Sequence, residues 1–129
     1  MSDDTPRTPD PPTCIIDDRW SDTTVILCCS GVLDMLTAPL LQRHVAASLK
    51  KKPTAMIIDL TGVEFFASAG MSVLVATHNT VPANTMFSVV ADGPITSRPM
   101  RLIGLDKLID IHPTLDIALH RLSAPPATP

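Results

Sequence analysis

The run "AMIIDL", Ala55 to Leu60, has no polar alternation and is bounded by Pro53 and Gly62, the pattern of a strand covered on both faces. Ile57 and Ile58 should therefore both be buried. "TMFSVVA", ending at Ala91, repeats the pattern before a Gly93-Pro94 turn. Elsewhere the apolar positions take a helical spacing. Leu41, Val45 and Leu49 recur behind Thr37 and Pro39, which fit a helix cap and first turn, and the run closes on Lys50, Lys51 and Lys52, cations suited to a last turn. A second helix, from Ser68 to Asn79, has Met71, Leu74 and Val75 as its stripe and Pro82 as its stop. In "ITSRPMRLIGL" a helix beginning near Ser97 accommodates Pro99 in its first turn. "LIDIH" follows as a short strand. The closing helix lies in "TLDIALHRL", with Leu115, Leu119 and Leu122 on one side.

Ahead of all these, "TCIID" and "TTVILCCS" are short apolar runs separated by "DRWSD", whose Asp and Ser residues favour a turn. The chain thus opens on a hairpin, and the order of elements is β-β-α-β-α-β-α-β-α. Alternating strands and helices need crossover connections. The expected fold is α/β: a single domain with a mixed, mainly parallel sheet, antiparallel at the hairpin and covered by about four helices. Its expected extent is 13–122. The flanking segments 1–12 and 123–129 are rich in Pro, Ser, Thr and Ala and bury too little to offset ordering entropy, so they are expected to be disordered tails.

Composition narrows the function. With 129 residues, 45% hydrophobic and 18% charged, and a net charge of −3, the chain suits one compact domain. It offers neither a basic excess for nucleic acid nor aromatics for stacking on bases, since Trp20 is joined only by three Phe. No apolar stretch spans a bilayer and the N-terminus does not read as a signal, so the expected location is the cytoplasm. The carboxylates fall mostly in turns, and the motifs of nucleotide, zinc and serine-nucleophile enzymes are missing. Neither catalysis nor a cofactor is expected. Scattered histidines and the spacing of Cys14, Cys28 and Cys29 make no metal site. A hairpin turn near Ser21 sets Cys14 opposite or near Cys28, a candidate redox pair, with buried free thiols as the alternative.

Two stretches carry more specific information. "GVLDMLTAPLL" from Gly31 and "DLTGVEFFASAGM" from Asp59 resemble the STAS domain, in particular the bacterial anti-sigma factor antagonists. That family reads G-x-L-D…A…L and D-[LF]-[ST]-x-[VL]-x-[FY]-[IM]-D-S-[ST]-G. Gly31, Leu33, Asp34 and Ala38 match the first pattern; Asp59, Leu60, Thr61, Val63, Phe65, Ser68 and Gly70 match the second. Ala67 and Ala69 stand where the family has Asp and Ser or Thr, which leaves Ser68 without a hydroxyl neighbour in its loop.

The resemblance implies a protein that binds an anti-sigma factor of the histidine-kinase-like ATPase type and frees its sigma factor, with Ser68 as the residue the partner phosphorylates. Contact is then expected at Asp34, Ala67, Ser68, Ala69, Gly70 and Met71. Three of them have a plainer reading: Ser68 as a helix cap, Asp34 as an Asx turn, Met71 as core. The alternatives at the level of function are a STAS scaffold that is never phosphorylated, or a ligand- or redox-sensing binding module.

Overall fold

The computed structural model describes residues 13–123; the two expected tails, 1–12 and most of 123–129, lie outside them. The elements follow the expected order: β1 (Cys14–Ser21), β2 (Thr24–Leu33), α1 (Ala38–Leu49), β3 (Ala55–Phe66), α2 (Ser68–Thr80), β4 (Met86–Val90), α3 (Ser97–Leu102), β5 (Asp110–His112) and α4 (Leu115–Ser123). A single 3-10 turn, Leu105–Lys107, links α3 to β5. The five strands lie in sequence order, β1 antiparallel to β2 and the rest parallel.

Sequential parallel strands joined by right-handed crossovers place the intervening helices on one face of the sheet. The core divides accordingly. Val25, Leu27, Met56, Ile58 and Val89 point into the larger cluster with Leu41 and Val45 of α1, Leu74 of α2 and Met100 of α3. Ile26, Ile57 and Val90 point the other way and are covered by α4 through Leu115, Ala118, Leu119 and Leu122. Ile57 and Ile58 are both fully buried, one on each side of the sheet.

Three local expectations are corrected. The hairpin turns at Asp22-Thr23, with Asp22 at φ +57°, so Arg19, Trp20 and Ser21 belong to β1 rather than to the turn. β3 runs six residues past "AMIIDL" to Phe66, keeping pace with a β2 that carries two register shifts beyond Cys28. One of these lies at Gly31, whose φ of +90° brings its Cα so near the Thr13 carbonyl that a side chain there would collide with it. The three lysines follow α1 instead of ending it: Lys52 turns to φ +56°, and the Lys51 ammonium lies 5.6 Å from the centre of the Trp20 ring. That cation–π contact ties the α1 exit to the strand the sequence had read as a turn.

Candidate functional site

β2 and β3 are parallel and finish side by side, Leu33 beside Phe66, so the chain leaves both at the same edge of the sheet. The Ala67 N–H donates to the Leu33 carbonyl at 2.9 Å and joins the two exits. This register brings Asp34 and Ser68 to one surface, although 34 positions separate them in sequence. Carboxyl ends of parallel strands are where open α/β sheets place their binding loops.

Asp34 is half-buried and shapes its own loop. Its Oδ1 accepts from the Leu36 N–H at 2.9 Å and from the Thr37 N–H at 3.1 Å, an Asx turn, while its own N–H donates to Thr37 Oγ1 at 2.9 Å. Thr37 is the cap residue of α1 as expected, yet its hydroxyl donates back to the Val32 carbonyl at 2.8 Å and caps no helix N–H; the Asp34 carboxylate holds the turn just ahead of the helix. A loop pinned in this way cannot fold its own side chains inward. Met35 and Leu36 are left 77% and 83% exposed.

Across the junction, Ala67 and not Ser68 is the cap residue of α2; its backbone is extended and its methyl group offers no acceptor. Ser68 is therefore the first helical residue, exposed, and its hydroxyl has no partner among the described residues. The Ala67 carbonyl accepts from the N–H groups of Gly70 and Met71, so the Ser68 and Ala69 N–H groups, which precede any intrahelical acceptor, remain open. The expected role of Ser68 as the cap is thus corrected. Gly70 is buried: a Cβ there would fall 2.9 Å from Leu33 Cγ and 2.9 Å from Phe66 Cε1, so the glycine lets α2 close onto the two strand ends. Ala69 and Met71 are half-buried against the core. Met71 is also exposed along one edge, where with Ser68, Val75, Ile103 and Leu105 it lines a mainly apolar groove of about 450 Å³.

Sequence reasoning missed Met35, Leu36 and Ile103 as surface residues. Met35 and Leu36 precede the helix cap and so lie outside the α1 stripe, a signal that was present; Ile103 sat in what read as one longer helix. The expected proximity of Cys14 and Cys28 is overturned. Because the hairpin turns later, Cys14 pairs with Gly31 and Cys28 with Asp17, and the two thiols occupy opposite faces of the sheet. All three cysteines are free. Among the described residues no group of three or more His, Cys, Asp or Glu side chains is arranged to hold a metal ion, and no helix is long and apolar enough to cross a membrane.

Residues 16–118 match the family model of the STAS domain. The anti-sigma-F factor antagonist RsfB of Mycobacterium tuberculosis is 39% identical over 94 residues, which span 73% of this chain and 77% of RsfB. A crystal structure of an anti-sigma factor antagonist from Mycobacterium paratuberculosis superposes with a TM-score of 0.84 at 39% identity, covering 87% of this chain and 96% of that one. The phosphorylated form of the Bacillus cell fate determinant SpoIIAA shares the fold, with a TM-score of 0.64 at 15% identity over 84% of this chain and 99% of its own.

Proposed function

Because the chain belongs to the STAS domain family, we propose that it is an anti-sigma factor antagonist, which docks on an anti-sigma factor of the histidine-kinase-like ATPase type and releases the sigma factor held there. In this reading phosphorylation of Ser68 by that partner ends the interaction. The observation that carries it is the exposed, unpartnered Ser68 hydroxyl at the start of α2, set between the Asp34 turn and the apolar groove along Met71. Two named relatives at 39% identity support the antagonist role.

The chain's contribution is a rigid contact surface. Asp34 fixes the loop that presents Met35 and Leu36, and Gly70 fixes the approach of α2. A partner docking there covers apolar side chains that water now surrounds, which favours the complex through apolar burial. ATP and Mg²⁺ belong to the partner; the γ-phosphoryl group passes from ATP to Ser68 Oγ, and ADP and the hydroxyl proton leave. Phosphate adds about −1.5 to −2 charges where the complex must exclude water. The open N–H groups of Ser68 and Ala69 stabilise that charge in the free protein. Modification therefore favours the free state over the complex.

The test begins with capture of the anti-sigma factor by the full chain from its native cytoplasm. Incubation of the pair with ATP and intact-mass measurement should show one added phosphate, absent in Ser68→Ala. Calorimetric titration should then give Ser68→Ala an affinity equal to or tighter than that of the unmodified protein, Ser68→Glu a weaker one, and the phosphorylated form a loss of about 100-fold or more. Equal affinities for the modified and unmodified forms overturn the switch. Binding without any gain of mass favours the scaffold that is never phosphorylated.

A further inference from the structure

α4 is the helix that covers the second face of the sheet, and beneath it lies a cavity of about 150 Å³. Its polar lining is unusual for a packed helix–sheet seam. Ser88 of β4 is 6% exposed and its Oγ has no hydrogen-bond partner, the buried hydroxyl so left among the described residues. Buried polar atoms are almost always satisfied, by protein, water or ligand. Asp110 and His112 on β5 and Arg121 on α4 line the same cavity, and none of the three holds an ion pair or side-chain hydrogen bond among the described residues. Met86 and Leu122 supply apolar wall.

We propose that this cavity binds a small zwitterion, a free α-amino acid. Asp110 and Arg121, both exposed at the rim, line the cavity from the sheet edge and from the helix, so the lining offers one carboxylate and one guanidinium beside the buried Ser88 hydroxyl. A simple carboxylate would meet Arg121 but face Asp110; a simple amine would meet Asp110 but face Arg121. An amino acid answers both, with its carboxylate on the guanidinium, its ammonium on the Asp110 carboxylate, and a polar atom left for Ser88. The volume matches a cavity that accepts a ligand of about six non-hydrogen atoms, the size of alanine or serine. The site is independent of Ser68, since α2 and α4 lie on opposite faces of the sheet. A bound ligand would tie α4 to the sheet edge.

The experiment is a two-dimensional NMR titration of the full ¹⁵N-labelled chain with L-alanine and L-serine, using acetate and methylammonium as the two half-ligands. Saturable shifts at Ser88, Asp110 and Arg121 are expected with one of the amino acids at a Kd of about 1 mM, well within reach of so small a ligand. Acetate and methylammonium should bind at least tenfold more weakly. Arg121→Gln and Asp110→Asn should each lower amino-acid affinity by at least tenfold while the rest of the spectrum stays native, and Asp110→Asn should at the same time improve binding of acetate. No saturable shift up to about 50 mM in any arm means that the cavity holds water only and overturns the proposal. Shifts that survive both substitutions overturn it equally.

Discussion

Asp34 holds the loop that presents Met35 and Leu36. Its Oδ1 carries the turn, and an asparagine presents the same acceptor, so Asp34→Asn should change thermal stability by less than about 0.5 kcal/mol. Asp34→Ala removes the acceptor from the Leu36 and Thr37 N–H groups and should cost about 1 kcal/mol, the usual net worth of lost hydrogen bonds. If the charge itself meets the partner, Asp34→Asn weakens binding in calorimetry although the fold is unchanged; an unaltered dissociation constant assigns Asp34 to the turn alone. The cysteines make a second residue-scale case. Burial pushes the thiols of Cys14, Cys28 and Cys29 up from the ordinary 9.0, most strongly at Cys29. The folded chain keeps the Cys29 proton while the unfolded chain loses it, so this contribution is complete below pH 9.0 and declines as pH rises beyond it. Urea unfolding between pH 8 and 10 should show stability falling as pH rises, by up to about 1.4 kcal/mol per pH unit for each raised thiol, and Cys29→Ala should reduce that slope. The chain contains no tyrosine to titrate in the same window.

At the scale of elements, α2 begins without a side-chain cap because Ala67 occupies an extended cap position, φ −95° and ψ 171°. Ala67→Asp places an acceptor beside the open N–H groups and should stabilise the protein by about 1 kcal/mol in urea denaturation. The same carboxylate sits next to Ser68, so the gain should shrink once Ser68 is phosphorylated and two anions compete for those donors. A gain that is equal in both forms would show that the phosphate does not use the helix start. β1 shows the opposite balance of local and tertiary forces. "DRWSD" reads as a turn by residue preference, but the pairing of Trp20 with Val25 and its contact with Lys51 hold it in the strand.

For the whole molecule, the main consequence of the sequential strand order is asymmetry. Three helices cover one face of the sheet, and α4 covers the apolar part of the other. Ending the chain at Pro113 would uncover Ile26, Ile57 and Val90, which are now at most 6% exposed. Such a chain should bind a hydrophobic dye and unfold with a lower, broader urea transition than the full protein, since it loses apolar burial worth about 25 cal/mol per Å². A truncated chain that unfolds as sharply and at the same midpoint would show that α4 is an appendage rather than part of the fold. The proposed contact surface at Asp34 and Ser68 belongs to the α1–α2 side of the sheet, away from α4.

Periodicity alone determined the order of elements, the two-sided burial of Ile57 and Ile58, and the start of α1 behind Thr37, because these depend on apolar spacing and on local cap chemistry. The two stretches from Gly31 and Asp59 also made the family legible, and with it the candidate serine. Other features depended on where distant segments meet. The hairpin register that separates Cys14 from Cys28 moved with a turn displaced to Asp22-Thr23, a difference too small for residue preferences to resolve. The length of β3 came from its partner strand. The assignment of Ala67 as cap was decided by the Leu33 carbonyl, which holds the Ala67 N–H outside the helix. Exposure of Met35 and Leu36, and the cavity that joins Ser88 to Arg121, are properties of packing between elements. A one-dimensional pattern records which residues are apolar or charged, but only the closed sheet fixes which neighbours they are given and which they are denied.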